Sequence, residues 1–284
     1  MMTDCGLFDK RFSPVVSSVA VSLLLIIHND IRYLSSFVMM KILGITAHPD
    51  DEAGAFGGSL LRYHDRGIET YVICLTPGQA ATNRGGARSD EELASLRRAE
   101  FFASCDILKV TGAWVLDYTD GGLDRMDFPA VVGDLVRRVR TIKPHVILTL
   151  GTEGAITGHP DHAMASLFAT MAFHWAARKD RYPEQLADGS APHQTQKLYY
   201  CTAPFTLPDR PPVSPAPCTA AIDIRAFLKD KERAFRAHKT QIPLADKFSS
   251  AGRRFGGMEY FHLAAVNRPS EMQKEDDLLT GVIE

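Results

Sequence analysis

"KILGITAHPDDEAG" occupies residues 41–54. Its first seven residues form an apolar run with the make-up of a buried strand. The run meets His48, Pro49, Asp50, Asp51 and Glu52 with nothing between. Proline at a first helical position and acids in a first turn are what a helix start favours. The stretch therefore reads as strand, junction and helix, with a dense set of metal-ligand side chains at the junction.

The same alternation continues downstream. Apolar runs at 69–76, 113–118, 145–150, 197–203 and 219–224 read as strands. Helical patterns fill 54–67, 90–106, 128–143, 160–179 and 225–241, the first ending at Gly67. Residues 76–89 are a Gly-rich loop, and the Pro-rich 204–218 separates the last two strands. Alternation of this kind predicts an α/β fold: a mostly parallel sheet with helices on both faces. Ligands in such folds bind beyond the carboxyl ends of the strands.

The chain has 284 residues, a net charge of −2 and 45% hydrophobic content, enough for one large domain. Near-neutral charge leaves no electrostatic footprint for nucleic acid. The five cysteines are scattered without a C-x-x-C pair, which argues for reduced thiols and against a thiolate zinc site. Residues 1–39 read differently and form an N-terminal extension ahead of a domain at 40–284. Two basic residues precede an apolar stretch ending at Ile27. It is short for a membrane span of about 20 residues, and it resembles a signal peptide without a clear cleavage site. An over-extended start before Met39 and Met40 is the third reading. A cytoplasmic location is the expectation, with a signal or anchor at 10–27 left open.

A second H-P-D stands at His159-Pro160-Asp161-His162, after the strand at 145–150. Either motif alone is explained as a helix start. Two of them on one predicted sheet edge are better explained as a metal site. His48 and Asp51 are three apart and face one point in a first helical turn. His162 supplies a third ligand. Two imidazoles and a carboxylate with an open position make a catalytic zinc pattern, one Zn2+ per chain. Asp50 is then free to take a proton from water, and His159 to bind an oxyanion or protonate a leaving amine. Asp161 is expected to orient His159.

"AHPDDE" with a distant "HPDH" resembles the PIG-L/LmbE-like deacetylases across most of residues 40–265. The resemblance implies a Rossmann-like fold and a mononuclear zinc site that removes acetyl groups from N-acetylglucosamine units. It implies the same ligands, with Asp50 as general base and His159 as oxyanion stabiliser or acid. It adds Arg97 in "LRRAE" and Asp120 in "DGGL" as substrate-binding residues, and matches Glu259 and Phe261 in a closing E-x-F segment. Against those roles stand a helix-surface ion pair for Arg97 and turn chemistry for Asp120. Thr157 and Gln79 depart from residues that some relatives carry on substrate-facing loops, which puts the substrate in doubt.

The expected function is zinc-dependent hydrolysis of an N-acetylated amino sugar or its conjugate, releasing acetate and a free amine. The alternatives are a zinc amidase cutting a larger sugar–thiol amide, and a catalytically silent sugar-binding protein. Self-association is left open.

Overall fold

The computed structural model describes residues 39–207, 212–245 and 257–283. The extension at 1–39, with its signal or anchor reading, lies outside them except for Met39. Seven strands form one sheet: β1 (Lys41–Thr46), β2 (Glu69–Cys74), β3 (Gly112–Val115), β4 (Val146–Thr149), β5 (Lys197–Thr202), β6 (Ala220–Asp223) and β7 (Met258–Val266). Their order is β3-β2-β1-β4-β5-β7-β6. The first five are mutually parallel, and β7 runs antiparallel to both its neighbours. β1 is flanked by β2 and β4, so the strand order reverses between β1 and β4. That switch point opens a crevice at their carboxyl ends.

The helices are α1 (Asp51–Asp65), α2 (Asp90–Ile107), α3 (Phe128–Ile142), α4 (Pro160–Trp175), α5 (Pro183–Ala187) and α6 (Leu228–Ala237). Alternation along the strands divides the core between two faces. Leu43, Ile45, Ile73 and Ile147 pack with α3 and α4 residues such as Val132, Leu135, Phe168 and Ala172. Ile42, Val72, Val146 and Leu148 pack with Phe56 and Leu60 of α1, Phe101 of α2 and Phe235 of α6. Each fully buried aliphatic side chain contributes about 1.5–3 kcal/mol. Among the described residues no helix is long and apolar enough to cross a membrane, and the four cysteines there are free thiols.

Several elements differ from their sequence expectation. α1 begins at Asp51, not at residue 54, so Asp51 and Glu52 lie inside its first turn and Asp50 just before it. The pattern at 225–241 resolves into α6 between two 3-10 turns. β7 has no strand expectation and covers the family-like E-x-F segment.

α1 is broken at Phe56, whose backbone is not helical (φ −147°, ψ 20°). The break lets the buried Phe56 ring lie over Gly44 of β1, where a Cβ would come within 2.7 Å of it. Both exposed helix ends are satisfied from far along the chain. Lys231 of α6 donates to the Gly54 carbonyl (3.0 Å). The Glu259 carboxylate of β7 accepts from the amides of Gly58 (2.9 Å) and Ser59 (2.7 Å). Lys231 and Glu259 also pair with each other, both buried. Gly58 permits close packing, since a Cβ there would lie 2.5 Å from Ile224.

Candidate active site

The first H-P-D leaves β1 at the switch point, and the second opens α4 beyond the end of β4. Parallel pairing of β1 with β4 brings the two segments together. Asp51 is the hub. Its Oδ2 accepts from the backbone amides of His48 (2.8 Å) and Ala47 (3.2 Å). Its Oδ1 lies 3.2 Å from His162 Nε2, and Oδ2 lies 3.7 Å from His48 Nδ1. All three residues are buried, at 8–9% exposure.

The other ring nitrogens are held from behind, and this sets the tautomers. His48 Nε2 sits 3.2 Å from Asp161 Oδ2 and 3.0 Å from Asp120 Oδ1, so it carries a proton. Thr157 donates its hydroxyl to the Gly154 carbonyl (3.2 Å), leaving Oγ1 to accept from His162 Nδ1 (3.2 Å). In a metal-ligating form His48 Nδ1 and His162 Nε2 would be the bare nitrogens, and both face Asp51. A ligating imidazole with its far N–H on an acceptor is the usual metal-site arrangement. The donor set of two neutral imidazoles and a carboxylate fits zinc. His159 is close by: its ring centroid is 4.8 Å from that of His48 and 5.1 Å from that of His162. Ligand atoms of His48, His159 and His162 lie within 4.8 Å of one another, as do those of His48, Asp120 and Asp161.

Replacing Thr157 with Val removes the acceptor behind His162. Zinc affinity of Thr157→Val is expected to fall about 10–100-fold, measured by competition with a chelating dye. Wild-type affinity would mean that Thr157 does not orient the ring. Gly154 holds the same loop at φ 90°, with backbone atoms of Gly158 and His159 2.6–2.7 Å from where a Cβ would sit. Gly154→Ala is expected to lose about 1–3 kcal/mol in urea denaturation. An unchanged midpoint would show that the loop relaxes freely.

Asp50 precedes α1 in the left-handed region (φ 110°, ψ −25°), a costly place for a residue with a Cβ. Its carboxylate accepts from Arg97 (3.1 Å), which also donates to the carbonyls of Pro49 and Gly78. Burial raises the Asp50 carboxyl to about 6, against the pull of Arg97. Asp51 is the reverse: burial opposes its charge, but His162 and His48 outweigh that and hold it well below the usual range. His159 is lowered, by burial first and then by the neighbouring imidazoles. Its Nδ1 accepts from the Asp161 amide (3.1 Å), so the neutral ring carries its proton on Nε2.

His48 is raised to about 10. Burial opposes its charge, and the Asp120 and Asp161 carboxylates more than compensate. Below that value the metal-free ring is doubly protonated, and coordination must strip one proton. Zinc affinity is therefore expected to rise about tenfold per pH unit near pH 7. Titration calorimetry in buffers of different ionisation enthalpy checks this; a buffer-independent heat would contradict it.

The structure brings all eight expected residues into direct contact with another of the set, His159 through the Asp161 amide, and seats His159 against the histidine rings. Three of them sit in places the sequence did not show. Asp161 braces His48 by its carboxylate, which also accepts from the amides of Gly121 (2.7 Å) and Leu123 (3.2 Å). It meets His159 only through its backbone. Asp120 is turned inward, one oxygen on His48 and the other on the Ala80 amide (2.8 Å). Arg97 is 3% exposed, so it is no helix-surface ion pair; its partners are Asp50 and loop carbonyls. Thr157 as an orienting group and any role for His238 are not expected from the sequence. Thr157, a hydroxyl five residues before His162, is the one signal available for the first.

A family model described as GlcNAc-PI de-N-acetylase matches residues 43–173, which hold both motifs. The matched stretch runs from β1 through most of α4 and is similar to that family over 131 of the 284 residues. The chain is 28% identical to a mycothiol S-conjugate amidase of Streptomyces coelicolor over 74% of its length and 78% of the relative's. It is 29% identical to a 1D-myo-inositol 2-acetamido-2-deoxy-alpha-D-glucopyranoside deacetylase of Rhodococcus erythropolis, over 85% of this chain and 97% of that one. The fold of the chain is shared with N,N'-diacetylchitobiose deacetylase from Pyrococcus horikoshii. That likeness has TM-score 0.68 at 20% identity and covers 88% of this chain and 94% of that structure.

Proposed function

We propose that this PIG-L domain is a zinc-dependent amidohydrolase that removes the acetyl group from an N-acetylated amino sugar or its conjugate. The observation that carries the reading is the placing of His48 Nδ1 and His162 Nε2 on the two oxygens of the Asp51 carboxylate, 3.7 and 3.2 Å away, next to the separate carboxylate of Asp50 that Arg97 holds. The amide chemistry and sugar class come from the names of the relatives.

His48, Asp51 and His162 would hold the ion, whose contribution is Lewis acidity toward water and toward a carbonyl oxygen. Asp50, raised to about 6, is matched to accept a proton from the attacking water near neutral pH. Arg97 keeps that carboxylate fixed. The water oxygen bonds to the acetyl carbon, and the carbonyl π electrons move onto oxygen. His159, neutral with its proton on Nε2, donates to that oxyanion. Collapse breaks the C–N bond, and the proton taken by Asp50 passes to the departing nitrogen. The products are acetate and a free amine. The same reading carries a cytoplasmic site of action and a small-molecule substrate.

Mass spectrometry of zinc-loaded protein with a panel of N-acetylglucosamine conjugates tests it. Loss of one acetyl group with stoichiometric acetate is the expected result. Tight zinc binding with no amide cut would overturn it in favour of a silent binding protein. Similarity to a mycothiol S-conjugate amidase supports a second reading, cleavage of a larger sugar–thiol amide. A cut amide without free acetate would identify it.

A further inference from the structure

The three acids that follow Pro49 are adjacent in sequence, yet each is answered from a different part of the fold. Asp50 meets Arg97 of α2, and Asp51 meets His162 of α4. Glu52 meets His238, which directly follows α6. Glu52 and His238 are both 0% exposed. Glu52 Oε1 lies 2.7 Å from His238 Nε2 and accepts from Ser104 Oγ of α2 (2.6 Å). Its other oxygen, Oε2, accepts from the backbone amide of Asp50 (3.0 Å). The segment carrying His238 is itself anchored, since Thr240 donates its amide (2.8 Å) and hydroxyl (2.6 Å) to Glu100. His238 Nδ1 is buried without a hydrogen-bond partner among the described residues, so the ring's polar tie is to Glu52.

We propose that Glu52 and His238 are positioning residues for Asp50. The buried imidazole fixes the Glu52 carboxylate, and that carboxylate grips the amide of Asp50 and holds it in its left-handed conformation. Asp50 makes no cap bond with its own side chain. Two grips therefore define it: Arg97 on the carboxylate and Glu52 on the backbone. A carboxylate capping a helix start needs no buried imidazole behind it. The His238 contact is explained by the need to hold Glu52 in one place beside two further acids. The inference rests on Asp50 being the base proposed above.

The test uses the full zinc-loaded chain. His238→Ala is expected to lower kcat at least tenfold, with KM within twofold and one zinc per chain. His238→Gln, which keeps a donor for Glu52, is expected to recover most of the rate. In an Asp50→Asn background His238→Ala should cost nothing further, because the group it positions is already gone. An equal loss in both backgrounds, or a wild-type kcat, would overturn the proposal. A crystal structure of zinc-loaded His238→Ala gives a readout independent of rate. Asp50 leaving the left-handed region supports the proposal, and Asp50 unmoved overturns it. Should His238→Ala not fold, Glu52→Gln takes its place in the same measurements. A wild-type protein releasing no acetate would sink the deacetylase reading, while the position of Asp50 in the variant would still decide this one.

Discussion

An Asp50→Asn protein is expected to keep its zinc and lose about 10²–10⁴-fold in kcat, the range general-base catalysis supplies. The substitution isolates one property. Asn fills the same volume, tolerates the positive φ that Asp50 adopts, and can still accept from Arg97. The Glu52 grip on the residue-50 amide does not involve the side chain at all. What disappears is the ability to take a proton. KM should move little, because the metal ligands and the crevice are unchanged. Metal analysis beside steady-state kinetics checks both halves. Full activity with bound zinc would remove Asp50 from the base role, and lost zinc would move it into the ligand set.

His162→Ala is expected to fail differently, losing metal and rate together. It removes one of the two bare imidazole nitrogens and leaves Asp51 Oδ1 without its nearest partner. The loss of zinc affinity should exceed the roughly 10–100-fold typical of removing an outer-shell partner. Zinc at about 100 times its Kd stabilises the wild-type fold by about 2.7 kcal/mol, and the same concentration should leave the Tm of His162→Ala almost unmoved. A variant that retained one zinc per chain and the wild-type thermal shift would show that the ion sits elsewhere, for instance among His48, Asp120 and Asp161.

The sheet was legible because its central strands are apolar runs bounded by turn residues, and two H-P-D motifs on one edge exposed the site. The unread parts have physical reasons. β7 is half-buried along most of its length, so "MEYFHLAAV" shows no clean alternation and no helical period. The break at Phe56 follows from a contact with Gly44 across the fold, which no local pattern records. Asp161 is expected to orient His159, its neighbour in the second motif. Its carboxylate instead reaches the first motif, 113 residues away, and spacing carries no information about that. His238 lacks ligand spacing because it reaches Asp50 through the Glu52 side chain and not directly.

The break in α1 bears on the order in which the molecule assembles. The helix that begins with Asp51 is tied at its interruption to Lys231 and Glu259, some 180 to 200 positions later. During synthesis the first motif emerges early, yet its helix lacks both end partners until nearly the whole chain has left the ribosome. Contacts of such long sequence separation form late and slow folding. Nascent or truncated chains ending before residue 259 therefore carry every proposed metal ligand in sequence, but without the carboxylate that closes the broken helix.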